Sequence, residues 1–174
     1  MTFFKPALVA ALSLCATTAT SHASLETQEA QANANYKAIV RIAHGCEGEP
    51  TLSVTVQIPA GVINVKPMPK ANWELETVTT EYAKPYEYHG TRTEGVTEIT
   101  WTGTLDDGHY DEFVFRGRIT DDYADGDTLY FPVTQTCANG DHAWVEIPAE
   151  GQSRGDLAKP APGVSITGGS HDHH

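Results

Sequence analysis

Histidine is the residue type in this sequence with the clearest capacity for metal chemistry. One of the eight histidines, His22, follows a stretch typical of a secretory signal, and cleavage directly before it would make it the first residue of the exported chain. A first-residue histidine offers its α-amine and its ring nitrogen to one metal, and nitrogen donors in a tetragonal arrangement suit Cu(II). The other histidines lie outside any helical pattern, at His44, His89, His109, His142, His171, His173 and His174.

Residues 1–21 are predicted to be the secretory signal. Lys5 supplies its positive charge, the apolar run after Lys5 is too short to span a bilayer, and small residues follow. Cleavage after Ala19-Thr20-Ser21 would release a chain that starts at His22, and cleavage after Ser21-His22-Ala23 one that starts at Ser24. The triplets alone slightly favour the second, because alanine is the commoner final residue. The mature protein is expected to be periplasmic or otherwise exported, soluble and without a membrane span.

Signal removal leaves two cysteines, Cys46 and Cys137. In an oxidising compartment, a pair this far apart in sequence is expected to form one disulfide. The alternative is a pair of thiolate ligands, which the absence of a C-x-x-C spacing disfavours. The disulfide would draw His44, two residues before Cys46, toward the hairpin that holds His142.

His142 and Trp144 lie two residues apart in a predicted strand, so their side chains share one face. The functional interpretation places an imidazole and an indole beside one cavity. The alternative is a core tryptophan next to an exposed hairpin histidine. The terminal histidines predict either a weak metal-binding tract or a segment without a role; they are His171, His173 and His174.

The elements that must position these residues are β-strands. Several short alternating or β-branched runs, separated by turn signals, predict an all-β antiparallel sandwich. The runs are Lys37–Ile42, Leu52–Ile58, Trp73–Thr79, Val96–Thr102, Glu112–Ile119, Thr128–Thr134 and His142–Ile147. Gln28–Ala34 is predicted to be loop or sheet edge. The folded region is expected to end near Pro148 to Pro162, which gives a domain over 22–163 and a flexible, His-rich tail over 164–174.

Composition excludes several classes of function. The formal net charge of −12 argues against nucleic-acid binding by a basic face and against docking to anionic lipid, but leaves cations and basic partners open. The sequence has neither a G-x-S-x-G elbow nor a phosphate-binding glycine loop, so hydrolase and kinase functions have no support. Paired acids such as Asp106-Asp107 are interpreted as turn residues.

Motifs in order along the chain carry a family resemblance. They are His22-Ala-Ser-Leu-Glu26, Tyr36-Lys-Ala-Ile-Val-Arg41, His44-Gly-Cys46, Val56–Val62, Val65–Pro69 with Trp73, Tyr110–Gly117, Leu129-Tyr-Phe-Pro132, Cys137 and Trp144–Gly151. With these motifs the sequence resembles the YcnI-like exported copper-binding proteins over nearly all of residues 22 to 163.

The resemblance implies an immunoglobulin-like β-sandwich and a specific copper site. In the family, a mature N-terminal histidine holds Cu(II) in a histidine brace with a tryptophan close by, which implies cleavage before His22 and assigns the indole to Trp144. Members add a carboxylate shortly after the brace. Here Glu26 and Glu29 are near, but neither matches cleanly, and His142 or His44 would serve as a replacement ligand.

The function implied is non-enzymatic copper trafficking or homeostasis. Such a protein would pass Cu(II) to a membrane copper transporter or to an oxidase-assembly copper chaperone. One alternative is a copper-dependent oxidative enzyme that cuts polysaccharides, which would need a flat aromatic surface. Tyr82, Tyr86 and Tyr88 are candidates for that surface, and the other interpretation of their stretch is a strand edge with a proline. The other is a metal-free interaction module of the cell envelope.

Overall fold

Strands make up nearly all the regular structure of residues 23–168. The computed structural model describes residues 23–168, so the signal, His22 and the tail histidines lie outside the described residues. The strands are β1 Ser24–Leu25, β2 Glu29–Gln31, β3 Ala34–Ile42, β4 Thr51–Gln57, β5 Val62–Pro67, β6 Glu74–Glu87, β7 Thr91–Leu105, β8 Asp111–Ile119, β9 Thr128–Tyr130, β10 Val133–Cys137, β11 Gly140–Trp144 and β12 Gly163–Thr167. A single 3₁₀ turn covers Arg154–Asp156 within this part of the chain.

The strands form two larger antiparallel sheets and one small sheet. The first has the order β1-β3-β8-β5, the second β11-β10-β4-β7-β6, and the third β2-β12-β9. Only the β2–β12 pairing is parallel among the described strands. Along β3 the side chains alternate, so that Ala38 and Val40 are fully buried while Lys37 is exposed. This period of two is what a strand with one buried face requires.

The core lies between the two larger sheets. Its largest fully buried side chains include Trp101, Phe113 and Phe115. The Trp101 indole donates a hydrogen bond of 3.1 Å to the main-chain oxygen of Met68, which satisfies its polar nitrogen inside the apolar layer. The predicted all-β antiparallel sandwich is confirmed. No helix within residues 23–168 has the length and apolar character needed to cross a membrane.

The prediction of one strand over Thr128–Thr134 is wrong. The run divides into β9, which pairs with β12, and β10, which pairs with β4. Pro132 lies at the break and has no amide hydrogen, so it cannot donate to a continuing ladder. Phe131 instead donates to Pro162 O at 2.8 Å, and Pro132 O accepts from Gln57 at 2.9 Å.

The folded region extends beyond its predicted end. Residues 163–167 form β12, in which Val164 is 0% and Ile166 1% exposed, so the expected end near Pro148 to Pro162 and the tail boundary at 164 are too early. The composition of this region, rich in Gly, Pro and Ser, obscured the alternation of buried and exposed residues in β12. The run Gln28–Ala34, interpreted as loop or edge, contains β2 at the edge of the small sheet.

The strand predicted over His142–Ile147 is displaced toward the N-terminus. The observed strand, β11, covers Gly140–Trp144 and therefore ends before the predicted Ile147.

Candidate metal centre

The start of β1 is built into the core. Ala23 is 3% and Leu25 1% exposed, and Ser24 pairs with Arg41 of β3. Because β1 is antiparallel to β3, it begins at the end of β3 that leads from Ile42 into the His44 loop. His22 lies outside the described residues, but it is covalently bonded to Ala23. The attachment point of the predicted brace residue is therefore fixed at this end of the sandwich.

A disulfide holds the His44 loop against β10. Cys46 and Cys137 are bonded, with their Cα atoms 6.2 Å apart, so the predicted pairing is confirmed and neither sulfur is a thiolate ligand. Gly45 lies between His44 and Cys46, where a Cβ atom would sit 2.7 Å from Asp107 Cα. Only glycine fits this close approach, which explains the His-Gly-Cys order. The His44 side chain is exposed, and its Nδ1 lies 2.6 Å from Gly45 O.

A buried glutamine joins the surroundings of His44 and His142. Gln135 is 4% exposed, and its amide donates to His44 O at 2.9 Å and to Thr51 Oγ1 at 2.7 Å. In the β10–β11 register Gln135 lies directly opposite His142. The structure thus brings the main chain of His44 to the strand beside His142, as the disulfide predicts. Sequence reasoning missed Gln135. The feature that could have revealed it is a polar residue at an inward-facing position of β10, between the buried Val133 and Cys137.

His142 and Trp144 lie on one face of β11. Their rings stack with centroids 5.8 Å apart and planes 19° from parallel. The indole of Trp144 is 6% exposed and belongs to the same core cluster as Ala23. His142 is half-buried and lines a cavity of about 280 Å³ at the disulfide, together with Glu47, Glu49 and Asp141. Trp144 therefore packs in the core and also contacts the predicted histidine.

The two carboxylates near the predicted brace lie in different places. Glu26 directly follows β1, where its amide donates to Ile39 O at 3.0 Å and its carboxylate lies 2.9 Å from Arg41 Nη2. The hydrogen bond to Glu26 raises the pKa of Arg41, which stays charged. Glu29 belongs to β2, in the small sheet. Glu26 is thus the carboxylate on the β1 segment, and it is already paired with a guanidinium.

A groove of about 590 Å³ lies beside the start of β1. Ala23 and Ser24 form one side, and residues of the segment after β11, among them Arg154 and Leu157, form the other. Sequence reasoning missed this segment. The local feature that could have indicated ordered structure there is the capping box formed by Ser153 and Asp156, which begins the 3₁₀ turn. Within residues 23–168, no three or more His, Cys, Asp or Glu side chains are grouped so as to hold a metal ion.

Most of the chain matches one protein family. Residues 22–166 match the family described as "Domain of unknown function (DUF1775)". The chain belongs to the DUF1775 family. This is the domain of the YcnI-like proteins, so the resemblance drawn from the motifs is confirmed for the family.

One solved structure supports the fold of this DUF1775 domain. It is an uncharacterized protein from Nocardia farcinica whose crystal structure is described as revealing an immunoglobulin-like fold, and it is 21% identical, with a TM-score of 0.63, over 85% of this chain and 99% of the other. The predicted immunoglobulin-like architecture is thereby confirmed. No protein with a curated description matches the chain.

Three tyrosines of the DUF1775 domain were candidates for the flat aromatic surface that the oxidative alternative requires. Tyr82 and Tyr86 meet edge to face, with centroids 5.4 Å apart and planes 84° apart. Tyr86 is only 9% exposed, and Tyr88 lies against His89 at 65°. These three tyrosines therefore do not form one flat surface, because Tyr82 and Tyr86 of β6 pack nearly at right angles and Tyr88 lies beyond the end of β6. The other interpretation of this stretch, a strand edge with a proline, fits β6, which lies at the edge of its sheet and contains Pro85.

Proposed function

We propose that this protein is an exported copper-binding protein that holds Cu(II) through His22 as the first residue of its mature chain. Its role is in copper trafficking or homeostasis. One observation supports this proposal above the others. The start of β1, to which His22 is bonded, is anchored at the same end of the sandwich as the His44 loop and the His142–Trp144 pair.

Anchoring matters because a chelate formed by a freely moving chain end must be ordered when the metal binds. Here Ala23 is already buried and Ser24 is already paired with Arg41. Less conformational entropy is then lost on binding, which strengthens the complex. The α-amine and the imidazole of His22 are both nitrogen donors, which Cu(II) prefers among the divalent metals. Trp144 is the indole that the family resemblance places near the copper.

Three side chains are candidates for a third donor. Glu26 is a carboxylate on the β1 segment, and its use requires Arg41 to give up a contact of 2.9 Å. His142 is half-buried and held by its stack on Trp144, whereas His44 is exposed. Substituting each one separately, as Glu26→Gln, His142→Ala and His44→Ala, assigns the donor by the loss of Cu(II) affinity. Unchanged affinity in both histidine variants excludes the two-histidine site.

In this proposal the protein binds and delivers copper and does not catalyse a reaction. Tyr82 and Tyr86 pack edge to face, so these two rings do not form the flat surface on which a polysaccharide chain would lie. Delivery would be to a membrane copper transporter or to an oxidase-assembly copper chaperone. A copper-loaded protein that produces no peroxide with ascorbate is the expected result. Sustained peroxide production would favour the oxidative alternative.

The deciding experiment is native mass spectrometry of the protein exported from cells, with one equivalent of Cu(II). A variant lacking residues 169–174 removes the tail histidines from the measurement. We expect a mature mass that starts at His22, with one copper retained. His22→Ala should lose the copper, whereas the control His109→Ala, which alters an exposed histidine, should retain it. A mass that starts at Ser24, or no retained copper, contradicts the proposal.

A further inference from the structure

A row of three unpaired positive charges crosses the outward face of the β1-β3-β8-β5 sheet. Lys37 of β3 lies opposite Arg116 of β8, which in turn lies opposite Lys66 of β5. All three side chains are exposed, and none forms an ion pair with any acid within residues 23–168. Like charges directly opposite each other on neighbouring strands are destabilising. An anionic partner would remove that repulsion.

An apolar row lies immediately beside the charged one. Ile39 pairs with Val114, and the amide of Met68 donates to Val114 O at 2.8 Å, which places Met68 next to them. Met68 is 53% exposed. The solvent face of an antiparallel sheet is normally polar, so this row is unusual for a surface that only meets water. Methionine adapts its shape readily and is common at binding surfaces.

The two rows meet in a groove. It has a volume of about 400 Å³, and its lining includes Lys37, Lys66 and Arg116 on the charged side and Met68 and Val114 on the apolar side. The next row along the strands differs, because there Arg41 is paired with Glu26 and Lys70 is paired with Asp111. Unpaired cations, the exposed Met68 and the half-buried Val114 therefore coincide in this groove, whereas the cations of the next row are paired.

We propose that this groove docks an acidic segment of a partner protein, whose carboxylates face the charged row and whose apolar side chain contacts Met68 and Val114. The groove is positively charged, whereas the whole chain carries a formal net charge of −12. A broad anionic membrane would meet the acidic remainder of the molecule as well, and would be repelled by it. A short acidic segment meets only the groove. This inference is independent of the copper proposal and uses none of its residues.

The test uses fluorescently labelled ten-residue peptides and the mature protein. A peptide of alternating Glu and Leu is the probe, and peptides of alternating Lys and Leu or of alternating Glu and Ser are its controls. Fluorescence anisotropy should show binding of the Glu–Leu peptide that weakens as NaCl is raised. The triple variant K37Q/K66Q/R116Q should bind at least tenfold more weakly. Met68→Ser should also bind more weakly, with less change in salt dependence.

A matched variant distinguishes the loss of the groove's positive charges from the change in the protein's net charge. R92Q/R154Q/K159Q removes three exposed positive charges elsewhere and should bind the peptide as the unaltered protein does. Equal loss in both triple variants, or equal binding of all three peptides, overturns the proposal. So does preferential flotation of the protein with vesicles of equal phosphatidylglycerol and phosphatidylcholine. A concentration-dependent dimer that the K37Q/K66Q/R116Q change abolishes would also overturn it, in favour of a second copy of this chain.

Copper retention keeps the two proposals distinguishable. K37Q/K66Q/R116Q is expected to hold Cu(II) as the unaltered protein does, and to unfold thermally at the same or a higher temperature because like-charge repulsion is removed. Loss of peptide binding with copper retained supports the docking groove alone. Absence of peptide binding in the unaltered protein refutes the groove and leaves the copper proposal untouched.

Discussion

The buried amide of Gln135 donates a hydrogen bond of 2.9 Å to the main-chain oxygen of His44. Gln135 belongs to β10 in one larger sheet, and His44 lies in the loop after β3 of the other. The bond joins the two layers next to the Cys46–Cys137 disulfide. This bond and the disulfide help to fix the position of the His44 loop relative to His142, together with the Glu49 carboxylate, which accepts a hydrogen bond of 3.0 Å from the amide of Asn139.

Gln135→Leu is expected to lower the free energy of unfolding. The substitution keeps a similar volume but leaves the part-buried acceptor His44 O and the buried acceptor Thr51 Oγ1 without the donor that they now have. The expected loss is about 1–3 kcal/mol, measured by urea unfolding. Gln57→Leu is the control, because Gln57 is exposed on β4 and its loss should change stability by less than about 0.5 kcal/mol. Equal effects of the two substitutions would mean that the layer-joining bond contributes nothing.

Removing the disulfide with C46S/C137S is expected to destabilise the protein. The two cysteines are separated by 91 residues, so the crosslink restricts a large part of the unfolded chain. Crosslinks of this kind contribute about 2–5 kcal/mol, which urea unfolding of the variant should show as a lower midpoint. The unaltered protein treated with a reducing agent should approach the same midpoint. A variant as stable as the oxidised protein would show that the loop is held by its other contacts.

Much of the fold was predictable from local sequence pattern. β3, β4 and β8 alternate apolar and polar residues, and each was predicted close to its observed bounds because one buried face imposes a period of two. β5 and β12 were missed. Val62-Ile63 and Val65 of β5 break the alternation at a register shift, and β12 follows a run rich in Gly and Pro. Such strands are fixed by their pairing partners, which a single sequence does not display.

The candidate site was predictable in its parts but not in its arrangement. Residue chemistry and the family resemblance predict His22, His44, His142 and Trp144 as site residues, and this stays a prediction. The cysteine count predicted the disulfide, which is confirmed. Two features depend on tertiary structure and were missed. Gln135 meets His44 only because the sheets pack face to face, and Arg154 comes beside Ala23 only through the segment that follows β11.

Copper binding is expected to quench the fluorescence of Trp144. The chain has three tryptophans, and the proposed site lies nearest to Trp144, so one equivalent of paramagnetic Cu(II) should reduce the emission of that indole. Trp144→Phe should still retain copper in native mass spectrometry but lose the quenching. Trp73→Phe, which alters an indole packed on Phe113, should keep it. Full quenching in Trp144→Phe would show that copper lies near a different indole.

Asp122 is expected to contribute stability that is lost in acid. Hydrogen bonds from Lys84, and from Tyr86 at 3.0 Å, hold the pKa of this carboxyl below its ordinary value of 3.8, against the opposing effect of partial burial. Because the folded protein favours the ionised form, the contribution is fully present above the unfolded pKa. It declines as the pH falls below about 4 and through the folded value.

Asp122→Asn removes this titration while keeping the side chain's shape. The variant is expected to unfold at a lower temperature than the unaltered protein at pH 7, and the difference between the two should shrink as the pH falls below about 4. Thermal unfolding followed by circular dichroism across this range measures both effects. Asp121→Asn is the matched control, because Asp121 is the adjacent exposed acid and accepts no hydrogen bond from Lys84 within residues 23–168. A difference that stays constant from pH 7 into acid would show that Asp122 acts through packing or hydrogen bonding that does not depend on its charge.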